Sequence, residues 1–300
     1  MRRPPDLGIT PAAARVVIPP ATAYLPVWGR VRPPGEVAML WEKLALTMAG
    51  MLLVTAALHM GGRRLGGLLA GLPTITAPTL AWTALEQGTG FAVHAAIGSV
   101  ASCAALAVFA LAYVHASRSL RAAGALACGA GAAALAALPA LQAADSLTAA
   151  LVLAVSVTLA ARAALPTPAP AAAGALRSGR QVLPGIGAAC IAAMLTVLVT
   201  LLAPVLGPLA TGLLASLPLV SGPLAMAEHA GAGHQASTEF LRGYVRGLFG
   251  KAAFGTVFVL LAPGSGVLTA LAAAVAVTAL MTLRPQSVRA ALPRLNSPPR

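Results

Sequence analysis

The polar groups best suited to bind an ion or move a proton stand beside two proline-broken apolar segments. Residues 72–78 read LPTITAP and residues 217–223 read LPLVSGP. Each proline removes a backbone donor, and its ring clashes with the carbonyl four residues earlier, so two prolines five apart are expected to unwind about one helical turn. Unwound backbone in a bilayer is tolerated only against protein or a wet cavity. Pro73, Thr74, Thr76 and Pro78 in the first segment, and Pro218, Ser221, Gly222 and Pro223 in the second, are therefore the candidate substrate- or ion-binding residues. Free carbonyls and the hydroxyls of Thr74, Thr76 and Ser221 would coordinate an ion or a polar substrate group. An ordinary proline kink explains either segment alone, but the same break in both halves of the chain weighs against it.

Charged residues extend this set. Lys251 lies nine residues beyond Arg242, about 13 Å deeper along a helix, where a lysine is costly and should face the bundle interior. The plainer alternative has it reaching back to the interface or pairing structurally. Glu86, Glu228 and His229 close the two broken segments and are the proton-relay candidates, since imidazole titrates near neutral pH. The competing reading is a solvated loop, with His94 just beyond the first break and His234 and Glu239 beyond the second. The spacing of Glu228, His229, His234 and Glu239 matches no established zinc pattern, so no metal site is expected. Glu239, Arg242 and Arg246 share one helical face, suited to attract an anion or to reach lipid headgroups.

The elements that must position these groups are apolar spans. Of 300 residues, 58% are hydrophobic and 9% charged, with a mean hydropathy of +0.85. A soluble domain carries about 25% charged residues; this chain is an all-α polytopic membrane bundle. Spans are expected at about 39–60, 65–85, 91–113, 120–138, 147–161, 182–203, 207–227, 240–262 and 267–283, nine in all. Residues 1–38 form a Pro/Arg-rich disordered tail, which a start at Met39 would remove, and 284–300 form a second basic tail. Between repeat 1 with its connecting helix (39–165) and repeat 2 (182–283) lies a Pro/Ala-rich linker, 166–181. Cys103, Cys128 and Cys190 read as small core residues. The net charge of +13 comes from arginines in alternate connections, which the positive-inside rule explains without nucleic acid.

The chain is duplicated. GLLAGLPTITAP at 67–78 returns as GLLASLPLVSGP at 212–223, about 145 positions later, and after a shift of about four residues Phe91, Gly98 and Phe109 return as Phe240, Gly247 and Phe258. Five crossings between equivalent spans reverse their direction, so an inverted 4+1+4 repeat is expected. In plan this resembles the inverted-repeat secondary carriers, such as bile-acid-type sodium symporters and sodium–proton antiporters, over residues 39–283. No residue-level signature accompanies that likeness. The expected function is an ion- or proton-coupled carrier for a small solute, anions among the candidates, in a bacterial cytoplasmic membrane. Its partners would be membrane lipids and the solute or ion, without a cofactor. A non-transporting scaffold or accessory subunit is the alternative. Enzymatic activity is not expected, because no paired nucleophile and base appears within the apolar spans.

Overall fold

A computed structural model describes residues 62–74, 76–167, 218 and 221–282, together with Ala45 and Ala49 as isolated helical positions. The first and sixth expected spans, the first half of the seventh (207–217), most of the linker and both tails lie outside the described residues. All elements among the described residues are helices: α1 (62–71), α2 (Thr76–Gln87), α3 (Thr89–Ala116), α4 (Ala122–Ala143), α5 (Leu147–Ala164), α6 (Ser221–Ala232), α7 (His234–Ser265) and α8 (Val267–Thr282).

Five segments among these are long and apolar enough to cross a membrane: 62–87, α3, α4, α5 and α7. Their surfaces fit that solvent. In α3, 83% of the most apolar stretch is buried, against 22% in α4 and α5, so α3 is the axis of the bundle and the others surround it. Leu135, Leu138, Val152, Leu260, Leu268 and Leu280 point outward on the surrounding helices. So much exposed apolar surface would drive association in water and is ordinary against hydrocarbon. The fold is that of a multi-pass membrane helix bundle.

Side-chain contacts set the direction of each helix. Arg63 at the start of α1 pairs with Glu228 near the end of α6, and Arg64 pairs with Glu239 near the start of α7. Arg242 of α7 donates to the carbonyls of Leu165 and Pro166, just past α5, and Tyr113 near the end of α3 meets His229 of α6. These termini share one side of the bundle, and every described arginine lies on it. The Gly88, 144–146 and Gly266 connections lie on the other side and contain no Lys or Arg. Consequently α2 ends on the second side and α6 on the first.

Two of the described helix pairs correspond in position. Helices α2 and α6 each have 12 residues and begin 145 positions apart. Each closes on a single glycine, Gly88 at φ 89° and Gly233 at φ 82°, the left-handed conformation that lets the next helix start at once without a Cβ clash. Helix α3 has 28 residues and α7 has 32, so the four-residue shift in the sequence match is one additional turn. Against the competing solvated-loop reading, His234 lies in the opening turn of α7, because one glycine suffices as the connection, and Glu239 lies on the helix with Arg242 and Arg246 as expected. At about 48 Å, α7 exceeds a hydrocarbon core of about 30 Å, which leaves those polar turns among the headgroups.

Where α1 crosses α7 the backbones touch. Gly67 and Gly71 face Gly243 and Gly247, and a Cβ on Gly71 would stand 2.9 Å from the Gly247 Cα. Lipid tails are as apolar as leucine, so close van der Waals approach through small residues replaces hydrophobic drive inside a bilayer. Several hydroxyls are satisfied locally: Ser102 donates to Ser99 O at 2.6 Å, Thr83 to Thr79 O at 2.7 Å, and Thr278 to Ala274 O at 2.8 Å.

Candidate functional site

The first break occurs at Pro73. Helix α1 stops at residue 71, the Leu72 N–H turns back to Leu69 O at 3.1 Å, and the Thr74 N–H bonds Leu72 O at 2.8 Å. The helix resumes with the Ala77 N–H on Pro73 O at 2.9 Å. In the second copy the Gly222 N–H bonds Pro218 O at 2.8 Å, at the equivalent position. The expectation that both prolines of a segment unwind it needs correction. Pro78 and Pro223 are the third residues of α2 and α6, where a first-turn N–H has no intrahelical partner to lose. In the first segment only the leading proline breaks the helix, and in both segments the trailing one lies in the first turn of the helix that follows.

The break at Pro73 and the start of α6 both flank α7. Leu72 borders Gly250, and Ser221 is buried beside Tyr244, its Oγ without a hydrogen bond of full geometry. Those contact points are six residues apart, about 9 Å along the helix. Thr76 and Ser221, the first residues of α2 and α6, are 4% and 2% exposed. Pro73 and Gly222 are buried, while Thr74, Pro78, Pro218 and Pro223 are half-buried.

Lys251 follows Gly250 and is 6% exposed, whereas Arg246 on the same helix is exposed. It faces the central helix, where the fully buried Cys103 is the ionisable neighbour that acts on it. Among the described residues no carboxylate pairs with it. A lysine in a bundle interior is costly to charge unless an anionic group is brought to it.

The three proton-relay candidates are not together. Glu86 is exposed at the end of α2 on the second side, with His94 buried in the opening turns of α3. Glu228 and His229 are on the first side. Glu228 accepts from Arg63 Nε at 2.6 Å, with both side chains about one-eighth exposed (15% and 12%). The Tyr113 hydroxyl and His229 Nδ1 are 3.4 Å apart, with the rings edge-on. Burial first, then the neighbouring His234, hold the His229 imidazole below its usual pKa.

Residue spacing did not point to Tyr113, Tyr244 or Arg63. Tyr113 and Tyr244 are two of only three tyrosines in a chain with 4% aromatics, and a tyrosine in a buried span needs a hydroxyl partner. That scarcity was the available signal. No protein-family model, curated protein or solved structure matches this chain.

Proposed function

We propose that the chain is a secondary transporter, an ion- or proton-coupled carrier for a small anionic solute, built as an inverted repeat and working by alternating access. The observation that carries this reading is the helix break at Pro73 together with helix starts at equivalent positions in the two halves, with matching hydrogen bonds from Ala77 to Pro73 O and from Gly222 to Pro218 O. Paired broken helices running in opposite directions are how such carriers expose main-chain carbonyls and helix ends to a substrate. Thr76, Ser221 and the buried Lys251 supply hydroxyls and an amine that an arriving anion would charge, next to the break at Pro73 and the start of α6. Glu228 and His229 serve as the proton-handling pair on the arginine-rich side, which we assign to the cytoplasm of a bacterial inner membrane.

The test is flux into proteoliposomes loaded with a pH-sensitive dye, challenged with a panel of small carboxylates, phosphate and monovalent cations. Lys251→Met keeps the volume of the side chain without its charge, and should reduce anion-dependent flux at least about tenfold while elution and yield stay normal. Wild-type flux in that variant would remove Lys251 from the mechanism. The second reading, a scaffold or accessory subunit, draws on the backbone contact between α1 and α7 and the closed Arg63–Glu228 pair. It requires no flux with any member of the panel.

A further inference from the structure

Four arginines from three helices gather at one corner of the first side. Arg64 is in the opening turn of α1, Arg162 in the last turn of α5, and Arg242 and Arg246 one turn apart on α7. Two contacts draw these elements together. Arg64 Nε is 3.3 Å from Glu239 on α7, and Arg242 Nη1 reaches the carbonyls of Leu165 and Pro166, the latter at 2.8 Å. The second contact satisfies carbonyls left open past α5 and brings its Arg162 end against α7. Arg64, Arg162 and Arg246 are all near enough to repel Arg242.

Glu239 is the one carboxylate paired with any of the four among the described residues, Glu228 being taken by Arg63. Among the described residues, four guanidiniums against one carboxylate leave three positive charges uncompensated. Like charges held together at the edge of a low-dielectric slab call for an anion. Arg64, Arg162 and Arg246 are exposed and available to it.

The surface beneath the cluster indicates which anion. On α5, Val152 and Leu159 are 64% and 51% exposed. They stand ten and three residues before Arg162, on the same helical face, so an outward apolar strip leads up to the guanidinium. A soluble anion would use the charges alone. A phospholipid uses both, with its phosphate among the arginines and an acyl chain along the strip.

We propose that this corner is a binding site for an anionic phospholipid, with its phosphate held by Arg64, Arg162 and Arg246 and an acyl chain lying on Val152 and Leu159 of α5. The site joins the start of α1, the end of α5 and the start of α7. It does not depend on the chain being a carrier.

The experiment is native mass spectrometry of the full-length, detergent-solubilised protein titrated with phosphatidylglycerol, phosphatidylcholine and glycerol phosphate. Phosphatidylglycerol should bind in preference to the other two. The Arg162→Ala/Arg246→Ala double variant should bind it roughly 30-fold more weakly, from the attraction ordinarily contributed by each arginine near an anionic headgroup. Binding of phosphatidylcholine should not change. Arg118→Ala/Arg121→Ala removes the same charge from exposed positions on the same side, and should leave phosphatidylglycerol affinity within about threefold. All four substituted arginines are exposed, and thermal unfolding in neutral lipid verifies that both variants fold. Equal losses in the two double variants would mean a diffuse surface charge and overturn the site. Glycerol phosphate binding as tightly as the lipid would make it a soluble-anion site, and equal binding of the two phospholipids would mean no headgroup recognition; either refutes the proposal.

Discussion

Replacing Gly247 by alanine tests the contact that holds the broken segment to the central helices. The added Cβ would stand 2.7 Å from the Gly71 Cα and nearer still to the Leu68 carbonyl oxygen. Unbonded carbons sit about 3.5–4.0 Å apart, so α1 and α7 must separate by about 1 Å. The obstacle is backbone in a helix, which cannot rotate aside as a side chain would. Overpacking of this kind costs about 1–3 kcal/mol, while alanine regains up to about 1 kcal/mol of helix preference over glycine. Gly131 on α4 is the reference, because a Cβ there meets nothing within 4 Å. Gly131→Ala gains the same preference without the clash, so the two variants should differ by about 1–3 kcal/mol. Equilibrium unfolding in mixed micelles of dodecyl maltoside and dodecyl sulfate measures that difference. Adding Gly67→Ala to Gly247→Ala should cost less than the sum of the singles, since one displacement of α1 accommodates both. If Gly247→Ala were as stable as Gly131→Ala, the close approach of α1 to α7 would be refuted.

Two other outcomes follow from the polar contacts of α6. Glu228→Gln strands the largely buried Arg63 guanidinium and should cost about 3 kcal/mol of unfolding free energy, with the exchanged pair Arg63→Glu/Glu228→Arg recovering part of it in the same assay; no loss in the single variant would show the pair to be solvated. For His229, burial lowers the folded-state pKa below that of the unfolded chain. The unfolded state then binds more protons between the two values, so this contribution is present above the unfolded pKa of about 6.5 and is lost as pH falls through it toward the folded value. The melting temperature should drop on acidification from pH 7.5 to 5, and His229→Gln should flatten that drop; an unchanged pH profile in the variant would contradict the lowered pKa of this half-buried imidazole.

The membrane class, the helix limits near 89–116, 147–164 and 267–282, and the break at Pro73 were legible in the sequence. All depend on local chemistry: apolar length, a missing N–H and a glycine able to take positive φ. The separate roles of Pro73 and Pro78 were not, because the same ring breaks a helix from inside and suits its first turn. Which applies depends on where the hydrogen bonds resume.

Grouping of polar side chains was least legible. Glu86 and Glu228 look equivalent along the chain, each closing a broken segment, yet they finish on opposite sides of the bundle, one exposed and one bonded to Arg63. The depth of Lys251 followed from helical rise alone, but its neighbour Cys103 belongs to a helix nearly 150 positions away. The Arg64, Arg162, Arg242 and Arg246 corner draws on three helices whose spacing in sequence carries no trace of their contact. Periodicity and proline placement act within one or two helical turns, so sequence determines where each rod begins, ends and breaks. Which rods touch depends on the close approach of Gly67 and Gly71 to Gly243 and Gly247 and on the packing around α3, and only the assembled bundle decides that.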